Sequence, residues 1–138
     1  MKEIFKDSMG KYISPALIEG KFTESTLISM MMVVGENQKF AAALIVPNFE
    51  NLKNWCEENH ITYTTNAEMI KEKKVIDRYR KEVDAYNKHF GDFEKVKRFE
   101  LVDREWTIEE GEITPSLKLR RKVVAEHYQD LIDGMFAE

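Results

Sequence analysis

Apolar positions near the start of the chain form short clusters that are separated by turn residues. The apolar segments on either side of residues 7–10 predict two short strands joined by a turn within residues 2–14. Ser14 followed by Pro15 is typical of a helix start, with serine at the N-cap and proline at the first helical position. The first helix should therefore begin here and end near residues 22–25.

Two longer apolar runs follow and predict a β-hairpin. They cover residues 27–34 and 40–46, and the polar residues 35–38 between them supply the turn. The first run contains three consecutive methionines, which we interpret as core residues rather than as metal ligands. Asn48 can cap a further helix over residues 49–59, because its side chain can accept a hydrogen bond from a free backbone N–H.

Patterns of helical period dominate the second half of the chain. Residues 67–90 carry one apolar stripe and predict the longest helix, which Gly91 should end. Alternation over residues 98–102 predicts an edge strand, and a last helix is expected from about residue 119 to residue 134. This order predicts an α+β fold, in which a small β-sheet is flanked by helices. The sheet would consist of the N-terminal two-stranded hairpin, the central hairpin and the edge strand.

The length and composition are consistent with a single domain over residues 1–138. The chain is 43% apolar and 33% charged, as expected for a globular protein with a modest core. No apolar run is long enough to cross a membrane, and the net charge of −4 disfavours nucleic acid as a partner. The only cysteine, Cys56, excludes an internal disulfide and suits a reducing cytoplasm, and we expect it to be a buried apolar side chain.

Common catalytic motifs are missing from the sequence. It contains no glycine-rich phosphate loop, no nucleophile elbow and no spacing of side chains that would bind a metal, so no metal site is predicted. Two other features carry candidate chemistry, and both are predicted loops that contain lysine. They are the turn formed by Ser8, Met9, Gly10 and Lys11, and a cationic segment at residues 118–122.

The cationic segment permits two interpretations. Its members are Lys118, Arg120, Arg121 and Lys122, and a helix is predicted to begin among them. The free N–H groups of a helix start are already positive, so cations there are unfavourable unless an anion such as a phosphate or a carboxylate arrives. Alternatively, the four side chains are solvated cations on a helix face.

Three segments of the chain together resemble one family. The first comprises residues 2–6 (Lys-Glu-Ile-Phe-Lys) with residues 10–15 (Gly-Lys-Tyr-Ile-Ser-Pro) and 18–19 (Ile-Glu). The second is the hairpin at 33–47, and the third is residues 113–121 (Ile-Thr-Pro-Ser-Leu-Lys-Leu-Arg-Arg). They are similar to the hinge and glycine loop, the central hairpin and the catalytic-lysine motif of a mobile domain. The chain thus resembles the small C-terminal domain of AMP-forming acyl-CoA synthetases of the adenylate-forming superfamily, and specifically that of long-chain fatty acid–CoA ligases.

This resemblance implies an enzyme reaction in two steps. A fatty acid attacks ATP to give acyl-adenylate and pyrophosphate, and coenzyme A then displaces AMP to give acyl-CoA. ATP, Mg²⁺ and coenzyme A are the implied substrates and cofactor of the full-length enzyme, and none of them is expected to bind to this domain alone. A large N-terminal domain would hold most of the ATP and acyl site, and the small domain would rotate between the two steps.

The same resemblance implies roles for individual residues. Lys118 matches the lysine that bridges the fatty-acid carboxylate and the α-phosphate during adenylation. Lys2 matches the hinge about which the domain turns. Many family members have Ser-Gly before the lysine, where this chain has Ser116 and Leu117. The loop that is implied in thioester formation consists of Ser8, Met9, Gly10 and Lys11.

Further expectations concern the whole protein. Because the ATP- and acyl-binding regions would precede Lys2, we expect the chain to be a fragment that is inactive alone, with the N-terminal domain of the same enzyme as its partner. Its expected location is cytoplasmic, with peripheral membrane association as an option for the full-length enzyme. The alternative is a stand-alone regulatory module that binds a phosphate-bearing ligand or a protein.

Overall fold

The order of helices and strands confirms the expected α+β fold. The structure, a computed structural model, describes residues 3–137. Within those residues no helix has the length and apolar composition that are needed to cross a membrane. One turn of 3₁₀ helix, Asp92–Glu94, precedes the last strand. In chain order the other elements are β1 (Phe5–Lys6), β2 (Tyr12–Ile13), α1 (Pro15–Phe22), β3 (Ile28–Val34), β4 (Ala41–Pro47), α2 (Phe49–Glu58), α3 (Asn66–Met69), α4 (Lys73–Asn87), β5 (Val96–Leu101), α5 (Arg121–His127) and α6 (Gln129–Phe136).

The five strands of the described residues form two small sheets, whereas the sequence predicts that they share one. β1 and β2 pair antiparallel and make the N-terminal hairpin. β3, β4 and β5 form a three-stranded sheet in that order, in which β3 and β4 are antiparallel whereas β4 and β5 are parallel. β5 therefore lies at an edge of its sheet, as its alternating sequence predicts.

The central strand β4 is buried along its whole length. All residues from Ala41 to Pro47 are shielded from solvent, in agreement with a continuous apolar run that packs on both sides. Odd-numbered residues from 41 to 45 face a core that is completed by α1, α2 and α4. Even-numbered residues from 42 to 46 face a second core that is completed by α5 and α6. The sheet thus separates two layers of helices.

Several local predictions are confirmed. Met31, Met32 and Cys56 are buried among apolar side chains, as expected for core residues. The side chain of Asn48 accepts a hydrogen bond from the Asn51 N–H at 3.1 Å and caps the start of α2. A polar side chain at this position satisfies a helix N–H that would otherwise have no partner.

The prediction of one long helix over residues 67–90 is wrong. The segment forms two helices, α3 and α4, which are separated by a turn. Lys71 and Glu72, which lie between the two helices, are charged and exposed, so neither can pack against the core and hold one helix together at this point. At the start of α4, Val75 faces the core and is buried, whereas the neighbouring Ile76 is 41% exposed.

The last helix also differs from the prediction. It begins at Arg121 and is divided at Tyr128 into α5 and α6. The residues before Arg121 form a loop because the Arg120 N–H donates to the Glu112 carbonyl oxygen at 2.8 Å instead of entering a helix. In the preceding region, α4 ends at Asn87 and not at Gly91.

Asn87 connects the end of α4 to the start of β5. Its side-chain N–H donates to the Val96 carbonyl at 2.8 Å, and its side-chain oxygen accepts from the Val96 N–H at 2.9 Å. Replacement of this asparagine by alanine should lower the free energy of unfolding by about 2–3 kcal/mol, because both buried Val96 groups lose their partner.

The control is Asn54→Ala on the exposed side of α2, which should change the free energy of unfolding by less than about 0.5 kcal/mol. Urea unfolding of both variants measures the difference. Equal effects of the two substitutions would contradict the proposed role of Asn87.

Candidate functional site

The loop at residues 8–11 is shaped by the buried carboxylate of Asp7. One carboxylate oxygen of Asp7 accepts hydrogen bonds from the Met9 N–H and the Lys11 N–H, both at 2.9 Å. The Gly10 N–H donates to the Asp7 carbonyl at 3.1 Å, and Gly10 has a φ of +81°. Glycine adopts this left-handed conformation without steric cost. The loop is therefore ordered, with Met9 and Lys11 exposed at its surface.

This loop rests on the turn of the central hairpin. The Ser8 N–H donates to the Gln38 carbonyl at 2.8 Å, and the Asn37 N–H donates to the Lys6 carbonyl at 2.9 Å. A Cβ on Gly35 would lie 3.0 Å from the Phe40 carbonyl oxygen, so the turn has no room for a side chain at Gly35. Backbone hydrogen bonds thus fix the loop to the three-stranded sheet.

The second candidate loop covers residues 113–119 and is closed by its own backbone. Ile113 and Leu119 form an antiparallel bridge. The Thr114 N–H donates to the Lys118 carbonyl at 2.8 Å, and the Lys118 N–H donates to the Thr114 hydroxyl at 3.0 Å. The Lys118 side chain is exposed and has no hydrogen bond or ion pair with any described residue.

Leu117 occupies a conformation that is unusual for leucine. Its φ is +65°, in the left-handed region, and its side chain is 68% exposed. The residue lies directly before Lys118, at the position where many members of the family that the sequence resembles have glycine. A non-glycine residue in this region costs free energy, of the order of 1–2 kcal/mol. The loop therefore keeps the turn that glycine would favour.

Glu112 holds the base of this loop. Its side chain is fully buried, at 0% relative exposure. The Arg104 guanidinium donates to both of its oxygens at 2.8 and 2.7 Å, and the Thr107 N–H donates at 3.2 Å. His127 Nδ1 lies 2.9 Å from the second oxygen. Because the Arg120 N–H also donates to the Glu112 carbonyl, this residue joins the loop to the segment before it and to α5.

The surroundings of Glu112 favour its charged form. Burial alone would raise the pKa of Glu112, but the hydrogen bonds from Arg104 and His127 outweigh burial, and the pKa is lowered below its usual value. The pKa of Arg104 is raised chiefly by its hydrogen bonds to Glu112. A carboxylate that is bound in this way is a structural anchor for the loop.

Arg121, a member of the cationic segment, forms ion pairs with carboxylates of this chain. Its guanidinium donates to both Glu19 oxygens at 2.7 and 2.5 Å, and its Nε lies 3.2 Å from a Glu3 oxygen. Glu19 also accepts from the Val33 N–H at 2.7 Å. The solvated-face interpretation is therefore wrong for Arg121, because carboxylates of the same chain supply its anions. Lys118, Arg120 and Lys122 are exposed, as that interpretation requires.

The predicted site residues do not converge on one cavity. Within the described residues, no hydrogen bond or ion pair joins Lys118 to residues 8–11. A groove of about 1170 Å³ is lined by β3, α5 and α6, but neither Lys118 nor the loop at 8–11 contributes to it. Lys2, the predicted hinge, lies outside the described residues. The candidate chemistry is thus carried by two exposed loops.

Sequence reasoning missed the residues that support these loops. The sequence predicts Asp7 only as part of a turn and predicts no role for Glu112. Neither residue carries a sequence signal for its buried hydrogen bonds, because their partners are distant or are backbone groups. The one available signal was the surplus of cations at 118–122, which required anions, and two of those anions are Glu19 and Glu3.

Comparison with known proteins places these features in context. A family model described as AMP-binding enzyme C-terminal domain matches residues 3–138. Long-chain-fatty-acid–CoA ligase FadD15 of Mycobacterium tuberculosis is 31% identical over 142 residues, which cover 98% of this chain and 23% of that protein. Human long-chain-fatty-acid–CoA ligase 1 is 29% identical over 139 residues, which cover 99% of this chain and 20% of that protein.

A solved structure supports the fold. The A-PCP didomain of carboxylic acid reductase from Segniliparus rugosus in complex with AMP has a TM-score of 0.76 and 18% sequence identity, and the match covers 96% of this chain and 17% of that chain. The chain spans about a fifth of the length of the curated relatives that it matches.

The backbone of Leu117 leads to a prediction about stability. Leu117→Gly should raise the free energy of unfolding by up to about 1 kcal/mol, because glycine relieves the left-handed strain but loses more conformational entropy on folding. Leu117→Val should lower it by about 1 kcal/mol, because a β-branched residue tolerates positive φ poorly. Urea unfolding checks both. Equal stabilities of the glycine and valine variants would show that residue 117 does not keep this conformation.

Glu112 leads to a prediction about pH. Since its folded pKa is lowered, its contribution to stability is fully present above the unfolded value of 4.5 and is lost as pH falls through the folded pKa. Glu112→Gln should cost about 2 kcal/mol at pH 7, because charged hydrogen bonds are lost. The variant should also show a smaller loss of stability below pH 4.5 than the unsubstituted chain.

Urea unfolding between pH 3 and pH 7 measures this effect, and Glu109→Gln provides the matched control because Glu109 is exposed in the same segment. If Glu112→Gln and Glu109→Gln gave the same pH dependence, the buried carboxylate would not be the titrating anchor.

Proposed function

The chain belongs to the family of AMP-binding enzyme C-terminal domains, and we propose that it acts as this domain of an AMP-forming long-chain fatty acid–CoA ligase. Two kinds of support underlie the proposal. The family model matches almost the whole chain, and the two curated relatives described above are named long-chain-fatty-acid–CoA ligases. The regulatory-module alternative is not favoured by these similarities.

The proposed reaction joins a fatty acid to coenzyme A in two displacements. A fatty-acid carboxylate oxygen attacks the α-phosphorus of ATP, the bond to the β-phosphate oxygen breaks, and pyrophosphate leaves. The sulfur of coenzyme A then attacks the acyl carbon, the bond to the AMP oxygen breaks, and AMP leaves while the thiol proton is released. Each displacement concentrates negative charge, which suitably placed cations and N–H groups can stabilise.

Lys118 is the residue that we assign to the first displacement. The observation that carries this assignment is its exposed ammonium group, which has no partner among the described residues although the nearby Arg121 is engaged by two carboxylates. An ammonium group that is not already paired can approach the fatty-acid carboxylate and the α-phosphate together. There it would offset the charge that develops as the new bond forms.

The loop formed by Ser8, Met9, Gly10 and Lys11 is assigned to the second displacement. The absence of a side chain on Gly10 leaves open space beside the backbone, since nothing lies within 4 Å of the position where a Cβ would be. A narrow ligand such as the pantetheine arm of coenzyme A could therefore pass close to the main chain. We assign the hinge between the two arrangements to Lys2.

The other parts of the proposed enzyme lie in its N-terminal domain, which we propose as the partner of this chain. That domain would bind the fatty acid and most of ATP, with Mg²⁺ entering as part of that substrate. The described residues contain no cluster of three or more His, Cys, Asp or Glu side chains that could hold a metal ion, so we assign no step to Mg²⁺ through this chain. We propose a cytoplasmic enzyme that can associate with a membrane surface.

A chimeric enzyme tests the role of Lys118. The C-terminal segment of the Mycobacterium tuberculosis relative is replaced by this chain, and pyrophosphate release and thioester formation from supplied acyl-adenylate are measured separately. Lys118→Ala should slow adenylation by roughly 10²–10³-fold, the usual effect of losing one electrostatic stabiliser. It should leave thioester formation nearly unchanged.

Lys122→Ala is the matched control, because Lys122 is an exposed cation of the same segment and should affect neither step. Normal adenylation by the Lys118→Ala enzyme would contradict the assignment. Loss of thioester formation in that enzyme would show that Lys118 has a different role.

A further inference from the structure

Arg121 lies where three parts of the chain meet. It begins α5, three residues after Lys118. Glu19, which it binds through both oxygens, belongs to α1, the helix that follows the N-terminal hairpin. Glu3, its second acidic partner, precedes β1 and therefore stands beside the proposed hinge. One guanidinium thus contacts the segments that carry both candidate loops.

The contact between Arg121 and Glu19 has a defined geometry. Two parallel N–H···O bonds at 2.7 and 2.5 Å fix the distance and the relative orientation of the two groups. The side chains are only 22% and 12% exposed, so solvent does not compete strongly for them. The Val33 N–H occupies one Glu19 oxygen as well, which attaches the pair to the outer edge of β3. This arrangement leaves little freedom for α1 to move relative to α5.

Each candidate loop is a short distance along the chain from this pair. The backbone between Lys118 and Arg121 can span at most roughly 11 Å, so a displacement of α5 is passed directly to Lys118. On the other side, the loop at residues 8–11 is enclosed by the hairpin that leads into α1. A change in the angle between α1 and α5 would therefore alter the relation between the two loops.

Stability alone does not explain why this ion pair is present. Two charges that are removed from water lose hydration, and well-packed apolar side chains in their place are often equally stabilising. What apolar side chains cannot supply is the directional restraint of two parallel hydrogen bonds. The geometry therefore indicates a role in positioning.

We propose that Glu19 and Arg121 are positioning residues that hold the loop at 8–11 and the loop at 113–119 in one fixed relation, so that both steps of the reaction depend on them. This inference rests on the proposed function for its catalytic consequence. Loss of the Arg121 side chain should therefore affect both loops. Loss of Glu112 should affect the 113–119 loop, because its contacts lie around that loop and not at residues 8–11.

Amide hydrogen exchange of this chain tests the positioning role without any activity. In Arg121→Gln, exchange should become at least about tenfold faster in the loops at 8–11 and 113–119, because a local restraint is lost, while exchange in β4 stays unchanged. Lys122→Gln, which removes the neighbouring exposed cation, should alter neither loop. Uniformly faster exchange that includes β4, or faster exchange in one loop only, would overturn the proposal.

Single-turnover kinetics of the chimeric enzyme test the catalytic consequence. Arg121→Gln should lower the rate constants of both adenylation and thioester formation by roughly a hundredfold, the expected effect of a small misplacement of reacting groups. The amplitudes should stay the same, because amplitude reports the fraction of folded enzyme. Reduced amplitudes with normal rate constants would mean that the pair only keeps the protein folded, and would overturn the proposal.

The two experiments separate this inference from the proposed function. If the chimeric enzyme with the unsubstituted chain performs neither step, the proposed function fails, and the exchange result alone decides whether the pair couples the loops. If the enzyme is active but Arg121→Gln impairs adenylation alone, the proposed function stands and the coupling is wrong.

Discussion

Complete burial of β4 is the constraint on which the rest of the structure depends. A strand whose seven residues are all shielded from solvent must be covered on both faces, and here α1, α2 and α4 cover one face while α5 and α6 cover the other. The alanines at 41, 42 and 43 keep both faces flat at one end of the strand. Since α1 and α5 lie on opposite faces, any direct link between them has to pass around the edge of the sheet.

That edge is where Glu19 and Arg121 form their ion pair. β3 is an outer strand, and its Val33 N–H would need a partner from water or from a side chain. Glu19 supplies this partner and at the same time binds Arg121. The link between the two helix layers therefore consists of an edge-strand N–H, a carboxylate and a guanidinium, and it requires no extra element of structure. The apolar core fixes the layers, and the ion pair fixes how they are related at the edge.

The sequence predicts those parts of the fold that follow from local pattern. Both hairpins, α1, α2 and the edge strand are recognisable because apolar period and turn residues agree at each of them. The sequence does not predict the break between α3 and α4, because Lys71 and Glu72 are good helix formers and only the missing core contact at these positions interrupts the helix. Helix propensity is local, whereas the contact that decides the outcome is tertiary.

The same distinction applies to the candidate site. Lys118 and Gly10 could be singled out from the sequence because their importance lies in short motifs. Asp7, Glu112 and Arg121 could not be assigned, because a carboxylate or a guanidinium has the same sequence appearance whether it is solvated or buried against a partner. Only the fold shows that Glu112 accepts from Arg104 and that Arg121 donates to Glu19.

The cationic segment illustrates how neighbouring residues of like charge can have opposite tasks. A cation that must meet a substrate anion has to remain unpaired until the substrate arrives, because an existing ion pair would have to be broken first. A cation that holds the fold must be paired at all times. Lys118, which has no partner among the described residues, meets the first requirement, and Arg121 meets the second with Glu19 and Glu3.

The chemistry of the side chains matches this division, because a flexible ammonium group reaches outward whereas a planar guanidinium binds a carboxylate through two hydrogen bonds. Exchange of the two residue types between these positions would thus impair both tasks, although the net charge of the segment would be the same.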